Sequence, residues 1–433
     1  MGYYAIVTPA FVGHTNPMTV LARALQKRGH RIAFIAPIDV KAKAEKAGIE
    51  FIPICAKEFP PGEWDIWTTK LGELTGLKAN RFAGHWLGTM ARGIIRELPQ
   101  IIAREKFDGI VMDQCAIGTE AVCGATKTPL AVACCALAMN PEWTIPPVVF
   151  PWKYNPSLPA RLRNALGYLI ANLGGFTVIR AVAGYRFKHR LGSMHFNHMN
   201  HLRPSLVQVT QQPWFFDFPR EYLPANFHYT GPWLEWTPPN SGDFPWNKLD
   251  GRPLIYASLG TLQNRLQHVF QIIAEACSTL DVQLVIALGN KNATPPPNLV
   301  GNPIVVGYAP QTALLQRASM VITHCGLNTT LETLTYGLPM VGIPITNDQP
   351  GVATRVEHLG AGIKIPVKQL TVDRLRAAIQ KIQSDPEFGE RARYYANEIG
   401  QLEGPYNAAG TIEAAFTTRK PFNRPELSVP AAV

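Results

Sequence analysis

A strand, a capped helix and a second strand fill the first 36 residues, and that succession leaves few folds open. Residues 3–9 (YYAIVTP) read as a buried strand. A helix is expected from about Met18 to Arg28, with Asn16 as its N-cap and Pro17 as its first residue. Leu21 and Leu25 share one face, and Gly29 suits the C′ position. Residues 31–36 (RIAFIA) then return as an apolar strand. A unit of this kind joins two parallel strands, and parallel sheets are covered by helices on both faces.

The same alternation continues with strands at 109–113 (GIVMD) and 129–134 (PLAVAC). Between about 210 and 250, Pro, Trp, Phe and Asn accumulate, which marks a domain connection. The pattern then restarts. Strands are predicted at 254–258, 283–288, 304–307, 320–324 and 339–343, with helices at 264–279, 329–336 and on to about 416. Two α/β halves follow from this reading, with a frayed basic tail from Thr417.

The net charge of +10 favours anionic ligands or an anionic membrane surface. The basic residues form no long block and no nucleic-acid motif is present, so no nucleic-acid partner is expected. Seven scattered cysteines, none in CxxC spacing, suit a reducing compartment. The start lacks a basic region followed by a cleavable apolar run, so a cytoplasmic protein is expected. The most apolar later stretch, 165–179, is interrupted by Asn172 and Gly174–Gly175 and is too short to span a bilayer.

P-loop, GxGxxG and HExxH motifs are absent, and YASLG around Ser258 lacks the leading glycine of a nucleophile elbow. His195, His198 and His201 form HxxHxxH, but that spacing drifts around a helix and no carboxylate or cysteine lies near; no metal site is expected. The richest block is 307–351. It reads as a strand ending in His324, a tight Cys325–Gly326 turn and a helix opening at Asn328–Thr329. Such a helix N-terminus is an anion site, which Gly326 lets a ligand approach and to which His324 adds a hydrogen bond. A blander alternative stays open: T-T-L-E at 329–332 is also a capping box, with Glu332 serving its own helix. Five of the nine tryptophans (64, 67, 86, 143, 152) precede residue 153, as walls of an apolar cleft or as ordinary core.

Taken together, Tyr308-Ala309-Pro310-Gln311, His324-Cys325-Gly326-Leu327-Asn328-Thr329, Glu332 and Asp348-Gln349 resemble the signature of the UDP-glycosyltransferase superfamily. The Glu eight residues after the His and the Asp-Gln sixteen after the Glu match its spacing. GHTNP at 13–17 and SLGT at 258–261 match as well, and the overall texture is similar to bacterial members of macrolide and zeaxanthin glucosyltransferase type. The resemblance implies a GT-B fold, with two Rossmann-like domains whose parallel sheets face each other across a cleft. Residues 1–218 would bind the acceptor. Residues 219–405, linker included, would bind the nucleotide sugar. Residues 406–433 would return a helix to the N-terminal domain.

The same resemblance implies the residue roles. His14 would deprotonate the acceptor hydroxyl, with Asp113 holding its other ring nitrogen. Tyr308 would stack on uracil, with Gln311 near the uridine and Glu332 on the ribose. Thr329 and His324 would contact the diphosphate, and Asp348 and Gln349 the sugar hydroxyls. Ser258, Gly260, Thr261, Ala309, Gly326 and Asn328 would complete the donor site. The expected activity is inverting transfer of a hexose, glucose by preference, from a UDP-sugar to a hydroxyl of a lipophilic acceptor of carotenoid, sterol, flavonoid or macrolide type. No cofactor is expected beyond this donor. Two rivals remain: a UDP-sugar epimerase on the same fold and a non-catalytic UDP-sugar-binding protein.

Overall fold

Among the described residues, every strand pairing in the protein's two sheets is parallel. The computed structural model describes residues 1–192, 205–235, 238, 242–262, 265–290 and 293–424. The N-terminal half runs β1 (Tyr3–Val7), α1 (Val12–Lys27), β2 (Arg31–Ala36), α2 (Lys41–Lys46), β3 (Glu50–Pro53), α3 (Glu63–Gly72) and α4 (Gly76–Glu105). It continues with β4 (Gly109–Asp113), α5 (Thr119–Thr126), β5 (Leu130–Cys134), α6 (Leu158–Gly174), α7 (Phe176–Lys188), β6 (Val207–Thr210) and β7 (Phe227–Tyr229). Its sheet has the order β3-β2-β1-β4-β5-β6-β7.

The second half contains β8 (Leu254–Ser258), α8 (Gln267–Cys277), β9 (Gln283–Ala287), β10 (Ile304–Val306), α9 (Gln311–Leu315), β11 (Ala318–Thr323) and α10 (Leu327–Thr335). Then come β12 (Met340–Gly342), α11 (Gln349–His358), β13 (Gly362–Lys364), α12 (Val372–Ser384), α13 (Pro386–Gly400) and α14 (Gly404–Thr418). Its sheet has the order β10-β9-β8-β11-β12-β13. Both sheets are buried on both faces, which explains strands as uniformly apolar as Ile6–Val7 and Ile32–Ala36.

Three local expectations change. First, α1 starts at Val12 rather than Met18, so Pro17 lies inside the helix and Asn16 does not cap it. Proline lacks the N–H that would bond the carbonyl of Gly13. Asn328 of the second half supplies that donor instead, at 2.8 Å. The C-terminal end follows the sequence: Gly29 has φ +88°, and the Gly29 and His30 N–H groups donate to Gln26 and Leu25.

Second, β7 pairs with β6, so the N-terminal sheet runs past residue 218, where the domain boundary was expected. Phe227-His228-Tyr229 is a three-residue edge strand hidden in a Pro- and aromatic-rich stretch.

Third, the segment after α14 is held rather than frayed as far as Arg424. Phe422 N–H donates to Leu206 and Arg424 N–H to Ala225. α14 itself lies on the N-terminal half: Phe416 packs edge-on against Tyr4, and Arg28 pairs with Glu413 at 2.5 Å.

Candidate active site

In an open parallel sheet, ligands bind beyond the carboxyl ends of the strands where the strand order reverses. Here each sheet has one such point: between β1 and β4 in the first, between β8 and β11 in the second. One cavity of about 1040 Å³ joins the two. His14 follows β1 and Asp113 ends β4, while Ser258 ends β8, Gly260 and Thr261 follow it, and His324–Glu332 follow β11.

His14 sits in the first turn of α1. Its Nδ1 lies 2.8 Å from Asp113 Oδ2. A carboxylate can only accept, so Nδ1 carries the hydrogen and Nε2 is left as the basic nitrogen. Asp113 is fully buried, does not line the cavity, and takes the Cys115 N–H on Oδ1 at 2.7 Å. That bond fixes the carboxylate plane. Burial pushes the His14 imidazole down, but the charge and hydrogen bond of Asp113, with the more distant charge of Asp348, outweigh it and leave it raised above 6.5. The pair can take a proton from a group entering the cavity.

The residues expected to hold the donor assemble as a wall. Ser258, Gly260, Thr261, Tyr308, Ala309, Gln311, His324, Gly326, Asn328, Thr329, Glu332, Asp348 and Gln349 all line the cavity. α10 opens at Leu327 with Gly326 as its N-cap, and no side chain caps it. Its first N–H groups are therefore available to an anion. The left-handed residue of the turn is Cys325, at φ +61°; Gly326 has an ordinary φ and is needed for space. A Cβ on Gly326 or Gly260 would approach the His324 ring to 2.7 or 2.6 Å. Burial holds His324 down at about 4, partly opposed by a hydrogen bond with the Ser258 backbone, so the ring is uncharged at neutral pH.

This helix start also removes the capping-box reading of Glu332. With Gly326 as N-cap, Glu332 is the sixth helical residue, too far along to close a capping box. Its carboxylate instead accepts from Gln311 Nε2, and the Tyr256 hydroxyl donates to Gln311 Oε1 at 3.0 Å. Burial raises Glu332 to about 7. Tyr308, half exposed, stands on the same wall as a flat surface.

Asp348 bridges the halves: its Oδ2 accepts the Leu137 N–H at 3.3 Å, and burial raises its carboxyl. Gln349 spends its Oε1 on the Ile345 and Thr346 N–H groups, at 2.9 and 3.0 Å, and so shapes the turn before α11. Asn328 lines the cavity but commits its amide across the cleft. Nδ2 donates to Gly13, and Oδ1 accepts from Gln211 Nε2 at 2.7 Å. Sequence reasoning missed Gln211 and this bridge. The readable signal was Pro17, which leaves the carbonyl four residues earlier without its helical donor. Trp64, Trp86 and Phe59 form a buried cluster against which partly buried Phe11 packs, and of the two tryptophans only Trp86 reaches the cavity.

His195, His198 and His201 lie outside the described residues. Among the described residues, His14, Asp113 and Cys115 are close enough to share a metal ion. However, His14 Nδ1 is already bonded to Asp113, and burial holds the Cys115 thiol protonated.

Two parallel-sheet domains with their switch points facing one cleft define the GT-B glycosyltransferase architecture. The glycosyltransferase of kitacinnamycin shares it, with a TM-score of 0.73 at 24% identity, covering 95% of this chain and 98% of that one. So does glycosyltransferase SsfS6 of Streptomyces sp. SF2575, in complex with thymidine diphosphate (TM-score 0.68, 18% identity, 96% of this chain and 100% of that one). In sequence, a zeaxanthin glucosyltransferase of Pantoea ananas is 31% identical over 427 residues, 97% of each chain. The profile of the family described as "UDP-glucoronosyl and UDP-glucosyl transferase" matches residues 160–396, more than half of the chain. The protein belongs to this UDP-glycosyltransferase family and is a glycosyltransferase.

Proposed function

We propose that the protein transfers glucose from UDP-glucose to a hydroxyl of a lipophilic small molecule, with inversion at the anomeric carbon. The observation that carries this reading is the His14–Asp113 pair, at 2.8 Å, in one cavity with the uncapped N-terminus of α10. The acceptor hydroxyl gives its proton to His14 Nε2 while its oxygen attacks C1 of the sugar. The bond from C1 to the diphosphate breaks on the opposite face, and its electron pair leaves with UDP. The α10 N–H groups and neutral His324 receive the charge that develops there. Tyr308 stacks on the uracil, Glu332 takes the ribose hydroxyls, and Asp348 and Gln349 set the sugar. No step calls for a metal.

The acceptor half of the cavity is apolar, with Phe11, Trp86, Leu87, Met139 and Val178 on its wall. A carotenoid-type alcohol fits that chemistry, in keeping with the name of the Pantoea relative. An epimerase or a passive UDP-sugar binder has no use for a base in the apolar half of this cavity. The reaction belongs in the cytoplasm, where UDP-sugars are made. Mass spectrometry of products from UDP-glucose and a panel of hydroxylated carotenoids, sterols, flavonoids and macrolides, with a chelator present, tests the reading. Absence of any glucosylated product across the panel would overturn it.

A further inference from the structure

α6 buries one face and leaves the other bare. Ala160 and Asn164 are buried, and a Cβ on Gly167 would come within 2.6 Å of the Trp152 ring, so the inward face is closely packed. On the outward face Leu158, Leu162, Leu166, Leu169 and Leu173 follow one another at spacings of three and four and are 57 to 72% exposed. α7 extends the pattern with Phe176, Arg180, Ala183 and Phe187, all exposed, Phe187 at 89%. Isolated exposed leucines need no explanation, but a continuous stripe over two helices does.

The surrounding charge says what such a stripe meets. From Glu142 to Asp217 the chain has no Asp or Glu between the two, whereas Lys153, Arg161, Arg163, Arg180, Arg186, Lys188 and Arg190 all fall there. Arg161 is paired with Glu221 and Lys153 with Glu357, while Arg180, within the stripe, and Lys188 and Arg190, at the end of α7 and just after it, are exposed. Apolar residues on one face with basic residues around them mark a helix that lies in the interface of an anionic bilayer. The 17 residues of α6 reach only about 25 Å, and α6 and α7 meet at a 72° bend, so neither helix is long and apolar enough by itself to span a bilayer. The stripe also ends at the cavity: Ile170 and Leu173 are exposed and line its mouth. A second copy of the chain is a poor occupant. A two-fold contact would set Arg180, Lys188 and Arg190 of one copy against the same basic face of the other.

We propose that the outward face of α6 and α7 docks on an anionic phospholipid surface and presents the cavity mouth to acceptors dissolved in the bilayer. The acceptor part of this inference rests on the function proposed above; the docking does not. The test is co-sedimentation of the full chain with phosphatidylcholine vesicles, with and without phosphatidylglycerol, alongside a Leu162→Ser/Leu166→Ser/Leu169→Ser variant. None of these three leucines lines the cavity. Wild type should bind the anionic vesicles, weaken as salt is added, and bind neutral vesicles less. The variant should bind roughly tenfold or more weakly, because it loses three apolar anchors. Its kcat/KM for an acceptor delivered in vesicles should fall in step, with kcat/KM for a water-soluble acceptor kept. Should the variant prove unfolded, Arg180→Glu/Lys188→Glu tests the same surface through charge. Equal vesicle binding by wild type and variants, no binding by wild type, or a variant that only turns a dimer into a monomer would each overturn the proposal. Vesicle binding without transfer to any acceptor would instead refute the proposed function and leave the docking standing.

Discussion

Replacing Glu332 with Gln separates two effects of one burial. Desolvation raises this carboxyl from 4.5 to about 7, with Gln311 pulling it partly back. Between these values the native state keeps a proton that the unfolded chain has released. The unfolding free energy therefore falls as pH rises through that window, and the loss is complete above pH 7. At about 1.4 kcal/mol per pH unit, ionised Glu332 costs up to about 3 kcal/mol of stability. The Glu332→Gln variant should melt higher than wild type at pH 8, by about 1–3 kcal/mol in stability, and much like it at pH 4. UDP binding should move the other way. The carboxylate can accept from both ribose hydroxyls, and a hydrogen bond to a charged group is worth about 1.5–3 kcal/mol, so the variant should bind UDP roughly ten- to a hundredfold more weakly. For wild type, each unit below pH 7 should cost up to about tenfold. The diphosphate titrates in the same range, so the quantity to measure by calorimetry is the ratio of dissociation constants for UDP and its 2′,3′-dideoxy analogue. That ratio should depend on pH in wild type and be flat in the variant. By the same contact, UDP-glucose should outperform dTDP-glucose by roughly tenfold or more in kcat/KM. A variant that binds UDP with wild-type affinity and melts lower at pH 8 would refute both halves of the argument.

His14→Ala should lower kcat by roughly 10²–10⁴-fold while the UDP dissociation constant stays near wild type, because the base meets only the acceptor. In wild type, kcat/KM should fall as pH drops through a midpoint above 6.5, since the base works only when neutral and Asp113 favours the protonated ring; a pH profile checks this. Asp113→Asn should shift that midpoint down and cost roughly 10²–10⁴-fold in kcat, as the ring loses the partner that sets its tautomer. Asn328→Ala should lower kcat more than it weakens UDP binding, because its amide holds the Gly13 carbonyl of the helix bearing His14. Stopped-flow turnover beside UDP calorimetry separates the two, and the expected loss of fold stability is about 1 kcal/mol.

The strands were legible because a parallel sheet buried on both faces demands uninterrupted apolar runs, and such runs are local. RIAFIA, GIVMD and LIYAS appear as strands β2, β4 and β8 with the bounds the pattern implied. Gly29 was legible for the same reason: only the residue's own backbone decides whether φ is positive. The spacing from His324 to Glu332 and Asp348 was enough to bring these residues into one cavity wall, because turn, helix and return strand have fixed lengths.

What the tertiary structure decided is where local options balance. Asn16-Pro17 looks like a helix start, but α1 begins earlier because Asn328, more than three hundred residues away, satisfies the carbonyl that proline cannot. Thr329 to Glu332 looks like a capping box until the helix is seen to open at Leu327. Cys325, not Gly326, adopts the left-handed conformation of the turn, and Gly326 is needed because a Cβ there would meet the His324 ring. The three residues of β7 have no pattern long enough to read, and exist as a strand only because β6 offers its edge. The charge states of His14, His324 and Glu332 depend on burial and on neighbours distant in sequence. A sequence specifies periodicity and backbone preference residue by residue; hydrogen-bond donors, desolvation and space come from whichever distant segment the fold places alongside.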